Sequence, residues 1–330
     1  MQTIFISIAS YCDSLLSFTI KEALSKATFP ERLRFGVVEQ QIVEDRLHIE
    51  EHLVDVIRYV GISPKESRGA CWARAIAMSL YDDEDFFFQI DSHMLFDKGW
   101  DVRFINDIYK VLEISSKPII SSYPSGFEMQ GNTPVRTPLT VGVLAHTVPA
   151  AFAFEKDHLV LCHQAAITDT KEILNGFHLG AGCLFTLGLF VYEIPYDPFF
   201  YFAGEEQALA LRAYTHGWDI FHAPDMPIYH LYDLGNENFY RKKHWAEEED
   251  KKRKTRWWDL DRKAKARFQK LIDRDKQMGA FGLGDERSVQ DFANFCGIDY
   301  INKTVGQKAR TGPWIDLDFN SLMDEFTLDA

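Results

Sequence analysis

Asp91-Ser92-His93 follows directly on the apolar run Phe86-Phe87-Phe88-Gln89-Ile90. A carboxylate and an imidazole two residues apart, where a strand ends, can turn toward one cation if the chain bends there. A divalent ion held that way keeps open positions for diphosphate oxygens. As a Lewis acid it stabilises the charge left on a nucleoside diphosphate when a sugar's anomeric C–O bond breaks. The same tripeptide also serves as a turn with a capping Asp, so context decides. Downstream stand Gly180-Ala181-Gly182-Cys183-Leu184-Phe185, then Phe202-Ala203-Gly204-Glu205-Glu206, then Tyr229-His230. Small residues at 180–182 and 203–204 let backbone come close to a sugar ring. Glu205 and Glu206 suit carboxylates that accept hydrogen bonds from sugar hydroxyls, and equally suit first-turn acids that complement a helix dipole. Successive helical residues point about 100° apart. Glu205, next to Ala203-Gly204, is therefore expected at a sugar hydroxyl or the acceptor, and Glu206 toward the dipole and the solvent side.

The elements that would position these residues alternate strand and helix. Ile4 to Ile8 reads as a buried strand, and Asp13 can cap a helix through Leu15, Leu16, Ile20 and Leu24. Strands are expected at Leu33–Val38, Val54–Val60 and Phe86–Ile90, with a helix from about Cys71 to Tyr81. Such units predict a parallel sheet with helices on both faces, and ligands at the carboxyl ends of its strands. Ser7 to Tyr11, Glu39 to Gln41 and Asp91 to His93 then share one crevice. Residues 123–139 carry Pro124, Gly126, Gly131, Pro134 and Pro138 and read as a loop. A strand at Cys183–Leu187, a helix from about Glu205 to His216 and a strand at Trp218–His222 follow. Trp100 is expected in the core.

The 330 residues, 46% hydrophobic, suffice for one large core. A net charge of -13 argues against a nucleic-acid or anionic-membrane binder, while leaving room for a local positive pocket. Five dispersed cysteines without a Cys-x-x-Cys pair argue against structural zinc or a disulfide framework and read as reduced thiols. Met1 leads straight into the first strand run, with no long apolar segment, which places the protein in the cytoplasm. From Arg241 to Lys270 the chain is strongly charged. Lys251 to Arg256, preceded by Glu247 to Asp250, is expected as a solvated helix of mixed charge rather than a nucleic-acid patch.

The ordered series Asp91-Ser92-His93, Gly180-Ala181-Gly182-Cys183-Leu184-Phe185, Phe202-Ala203-Gly204-Glu205-Glu206 and Tyr229-His230 resembles the motifs of the polypeptide GalNAc-transferases. It is more similar still to the cytoplasmic Skp1-type polypeptide (hydroxyproline) α-N-acetylglucosaminyltransferases. The resemblance spans roughly residues 3 to 235. It implies an α/β fold of GT-A (Rossmann-like) type, a mostly parallel sheet flanked by helices, over residues 1–240. The nucleotide-sugar half would run to about residue 100 and the acceptor half from 101. Residues 241–330 would form a charged mobile segment and C-terminal extension packing on the same domain.

The resemblance further implies a UDP-sugar donor, expected as UDP-GlcNAc, Mn2+ or Mg2+, retained anomeric configuration, and a protein or peptide hydroxyl as acceptor. By position, Asp91, His93 and His230 would hold the metal, with His222 read as ordinary structure, and Asp91 and Glu205 would carry catalysis. Ser7, Ala9, Tyr11, Glu39, Arg68, Arg74, Gly182 and Glu206 would contact the donor. Tyr11 would stack on uracil, and Arg74 is read as a phosphate fork or as a surface helix arginine. A loop at 233–258 would close over the donor, with Trp245 as anchor. Gly-Ala-Gly and Glu-Glu depart from the GalNAc enzymes' paired glycines and Glu-Asn, which leaves the sugar open. A glycan or glycolipid acceptor, or a catalytically silent sugar-nucleotide-binding module, remains the alternative.

Overall fold

The computed structural model describes residues 2–137, 143–149, 154, 163–232 and 241–311. In chain order the elements begin β1 (Ile4–Tyr11), α1 (Leu16–Lys26), β2 (Leu33–Gln40), β3 (Ile57–Ile62), α2 (Ala70–Met78), β4 (Phe86–Ile90), β5 (Met94–Phe96), α3 (Trp100–Val111) and β6 (Pro118–Ser121). They continue with β7 (Ser125–Gln130), β8 (Thr133–Arg136), β9 (Val143–Pro149), β10 (His163–Asp169), β11 (Leu174–Gly176), β12 (Cys183–Leu187), α4 (Phe190–Glu193), α5 (Glu205–Thr215), β13 (Asp219–His222) and β14 (Ile228–His230). The C-terminal part holds α6 (Glu247–Asp250), α7 (Trp257–Ile272) and α8 (Val289–Cys296).

The main sheet has the order β11-β13-β6-β12-β4-β1-β2-β3. Strands β3, β2, β1 and β4 run parallel, whereas β12 runs antiparallel to both β4 and β6. The sheet is therefore mixed across its middle. Strand side chains alternate between faces. Ile4, Ile6, Ile8, Phe86, Phe88 and Ile90 pack on one face with Leu16 and Ile20 of α1 and Trp100 and Phe104 of α3. Phe5 and Phe87 point the other way, into a core shared with α2, α5, α7 and α8. Trp100 is fully buried, as the sequence implies, and its indole N–H donates to the Ala23 carbonyl.

Three expectations need correction. Residues 125–136 form a hairpin rather than a loop. Gly131 supplies the turn's positive φ of 61°, and Pro134 is tolerated because β8 is an edge strand. Strand β3 starts at Ile57, after a short 3-10 turn at Glu51–Leu53. The charged stretch 247–256 is helical only over Glu247–Asp250 and solvated only in part: Glu247, Glu248, Lys251, Lys252 and Lys254 are exposed, whereas Glu249, Asp250 and Arg253 are buried. Arg253 pairs with Asp250 at 3.0 Å and donates to the Tyr11 hydroxyl at 3.0 Å, which fastens this stretch to the end of β1. Burying these charges is tolerable because each is paired.

Cys71, Cys183 and Cys296 are buried free thiols and Cys12 is half-buried, while Cys162 lies outside the described residues, as do 233–240 of the expected loop. Among the described residues no helix is long and apolar enough to cross a membrane.

Candidate active site

Parallel pairing of β1 with β4 sets Ile8 beside Ile90, and antiparallel pairing of β12 sets Cys183 beside Ile90. Ala9 near the end of β1, Asp91 just after β4 and Gly182 just before the antiparallel β12 therefore meet at one end of the sheet. A second sheet, in the order β5-β14-β7-β8, supplies the remaining piece. Its register places His230 opposite Met94, and the Leu231 amide donates to the His93 carbonyl at 3.1 Å. Two imidazoles 137 positions apart in the chain become neighbours, with their Nε2 atoms 2.9 Å apart.

His230 Nε2 lies 3.2 Å from Asp91 Oδ2, and one ligand atom each from Asp91, His93 and His230 falls within 4.8 Å of the others. Such spacing suits neighbouring ligands of one divalent ion with bonds of about 2.1 Å. Burial lowers the His230 pKa, which keeps the imidazole in its neutral, coordinating form. Burial works against the Asp91 charge, yet His230 and Arg74 hold its carboxyl well below the usual range.

Asp13 was expected as a helix cap, and the structure gives it a second duty. Its Oδ1 accepts from the Leu15 amide at 2.9 Å, while Oδ2 accepts from the Ser92 hydroxyl at 2.8 Å and faces His93 Nδ1 at 2.7 Å. A carboxylate on Nδ1 fixes the tautomer that leaves Nε2 free to coordinate. Only its place just beyond β1, at the carboxyl end of the sheet, hints at this in the sequence.

Arg74, on α2, is buried and bridges two acids. It donates to Asp91 Oδ1 at 2.7 Å and to the Glu205 carboxylate. Glu205 also accepts from the Tyr196 hydroxyl at 2.7 Å and from the Cys71 thiol. Burial pushes the Glu205 carboxyl up, and the Arg74 guanidinium opposes that shift. Glu206 departs from the expectation of a solvent-facing acid. It accepts from the Ala181 amide at 2.8 Å and from the Tyr123 hydroxyl at 3.1 Å, and both it and Glu205 line the cavity. The left-handed turn at Gly204 (φ 85°) starts α5 so that its first turn points inward, which overrides the simple 100° argument.

These groups surround a cavity of about 530 Å³. Ala9, Tyr11, Arg74, Asp91, His93, Gly182, Glu205, Glu206 and His230 line it, together with Arg241, Lys242 and Lys243. The cationic part of the cavity wall is thus supplied largely by the charged stretch after residue 240, and Asp13, Asp91, Glu205 and Glu206 also line the cavity. Three of the expected donor contacts do not line the cavity. Ser7 is buried inside the sheet between Gly36 and Gln89. The Glu39 carboxylate is taken by the Tyr59 hydroxyl at 2.6 Å and the Leu47 amide at 2.8 Å. Arg68 is exposed and lies over Trp72. Tyr11 reaches the cavity, with His244 packed edge-on against its ring and Arg253 at 5.9 Å. His222 is buried in the core, where desolvation lowers its pKa to about 4. Trp245 is half-exposed at the mouth against Phe202.

Gly182 touches the site closely enough to test it. A Cβ there would sit 2.4 Å from Asp91 Oδ2. Gly182→Ala is expected to push that carboxylate off its partners and weaken divalent-ion binding about tenfold, with the melting temperature nearly unchanged. Calorimetric titration with MnCl2 checks this, and an unaltered affinity would mean that Asp91 has room to spare.

Comparison with known proteins fits this geometry. No curated protein sequence matches the chain. Among solved structures, it is similar to GalNAc-T7 with UDP, GalNAc and Mn2+, at 13% identity and a TM-score of 0.53, over 88% of this chain and 54% of that one. The chain thus spans about half the length of GalNAc-T7. It is also similar to S. aureus TarS, at 13% identity and a TM-score of 0.44, over 70% of this chain and 37% of that one. The first of these likenesses gives the fold as GT-A. The family model described as Glycosyltransferase (GlcNAc) matches residues 3–56 and 47–302. By that match, over most of its length, the chain belongs to the GlcNAc glycosyltransferase family.

Proposed function

We propose that the protein transfers N-acetylglucosamine from UDP-GlcNAc to a hydroxyl on a protein, with retention of configuration and with Mn2+, or Mg2+ in its place. The observation that carries this reading is the convergence of Asp91, His93 and His230 beside a cavity lined by Arg74, Arg241, Lys242 and Lys243. A donor set of two imidazoles and one carboxylate suits a divalent ion that keeps open positions for diphosphate oxygens. When bound, that ion supplies Lewis-acid stabilisation of the leaving diphosphate.

The chain's own residues do the rest. Asp13 orients His93, Arg74 orients Asp91, and Gly182 leaves room for the Asp91 carboxylate. Ala9 and Tyr11 form the nucleoside end of the cavity in this reading, and Glu206, held by the Tyr123 hydroxyl, the sugar end. Among the described residues, the four carboxylates that line the cavity, Asp13, Asp91, Glu205 and Glu206, are all engaged by donors. None is poised as a nucleophile, which favours substitution on one face, with a donor phosphate oxygen taking the acceptor proton. Glu205, held by Arg74, Tyr196 and Cys71, acts in this reading chiefly by fixing Arg74. Residues 241–258 close over the donor in the same reading, supported by the place of Arg241 to Trp245 in the cavity wall. A cytoplasmic setting is part of the proposal, and the free thiols support it.

Incubation with a panel of UDP-sugars and MnCl2 tests the reading. UDP release is expected to be fastest from UDP-GlcNAc and to stop with EDTA, and mass spectrometry should find the added hexosamine on a protein side chain. Release that ignores EDTA, or no release from any donor, would sink it. Hexosamine found only on a glycan would move the acceptor to the alternative class.

A further inference from the structure

Arg241 lies in the 233–258 stretch expected to close over the donor, yet no sequence signal singled it out. Its guanidinium donates to His93 Nε2, and its charge also acts on His230. His93 Nδ1 is committed to Asp13 at 2.7 Å. His93 therefore offers one lone pair, at Nε2, and Arg241 points its donor there, beside the His230 Nε2 that lies 2.9 Å from the same atom and 3.2 Å from Asp91 Oδ2. A guanidinium has only donors and cannot share that lone pair with a metal ion. Two cations at one imidazole also repel each other. The neighbouring Lys242 does not compete for the same place, since its charge acts on Cys12 and Glu249.

We propose that Arg241 and the divalent ion are alternative occupants of His93 Nε2, and that the displaced guanidinium then takes the donor's diphosphate. This rests on the metal-site reading above and adds an order to it. Metal entry frees the arginine fork, a bidentate phosphate partner, at the wall of the cavity where the donor must lie. Without metal, the arginine fills the place and the cavity lacks that diphosphate contact. Loading of the ion and readiness for the donor are thereby coupled through one side chain. Held back in this way, the guanidinium also keeps a divalent ion from binding at full strength until a donor is present to accept it.

The test uses the full chain and its Arg241→Ala and Lys254→Ala variants, the latter at an exposed lysine of the same charged stretch outside the cavity wall, titrated calorimetrically with MnCl2 alone and then with UDP in saturating MnCl2. Arg241→Ala is expected to bind Mn2+ about tenfold more tightly than wild type, since the competitor is gone, and UDP about tenfold more weakly. Lys254→Ala should stay within about twofold of wild type for Mn2+. Equal tightening in both variants would reduce the effect to general charge and overturn the competition. Unchanged or weaker Mn2+ binding in Arg241→Ala would overturn it as well, and unchanged UDP binding would remove the diphosphate role. Tight Mn2+ binding in Arg241→Ala with none in wild type would be the strongest support. No Mn2+ binding by either protein would instead sink the metal site itself, and this proposal with it.

Discussion

Arg74→Met is expected to cost about 3–5 kcal/mol of stability and to silence transfer together. The guanidinium is buried, and it is the bridge between the carboxylates of Asp91 and Glu205. Removing one member of a buried ion pair leaves its partner charged and poorly solvated, which is far worse than never having built the pair. Here two acids lose a cation at once. Denaturant unfolding should register the loss, with the melting temperature falling by roughly 5–15 °C. Glu205→Gln in the same chain should restore part of that stability, because it removes one of the stranded charges, and it should restore no activity, because Asp91 stays unsupported. That split distinguishes a structural bridge from a surface helix arginine. A variant that melts within a degree or two of wild type would show that the pair is not buried in solution.

Asp91→Asn should lower Mn2+ affinity about a hundredfold or more and nearly abolish transfer, while the chain stays folded. The amide keeps the shape and one acceptor for Arg74, so the core is little disturbed. What is lost is the negative charge, which His230 and Arg74 hold ionised. His230→Ala should act alike. Asp13→Asn, directly behind the ligand His93, should weaken Mn2+ binding by about 10- to 100-fold through that imidazole, whose tautomer it sets. Calorimetric titration and turnover in limiting metal measure all three. Near wild-type turnover of Asp91→Asn under those conditions would remove that residue from the ligand set, and an unaffected Asp13→Asn would make Asp13 a helix cap and nothing more.

The main strands and the inward helices were legible in the sequence because their signals are local. The short, β-branched apolar run Ile4–Ile8, and the mostly aromatic Phe86–Ile90 ending at Asp91, need no partner to be read. Asp91, His93 and His230 were also legible, but only through the order of motifs. Composition and spacing alone left a turn and an imidazole 137 positions away. The hairpin at 125–136 was hidden because proline and glycine announce a loop, and only an edge position in a sheet makes Pro134 acceptable.

What the sequence determined by itself is the alternating core, the sheet edge at which ligands gather, and the residue types that can hold a metal and a diphosphate there. Tertiary structure decided which of those residues meet. Register between Met94 and His230 brings the second imidazole to the first. The close pass of β12 delivers Gly182 to Asp91, and a left-handed Gly204 turns both Glu205 and Glu206 inward. Packing of the charged C-terminal stretch onto Tyr11 carries Arg241 to His93. Ser7, Glu39 and Arg68 miss the cavity for the same reason. Position along a strand sets which end of the sheet a residue occupies, but the face it points to and the partner that claims its polar atoms depend on neighbours far away in the chain.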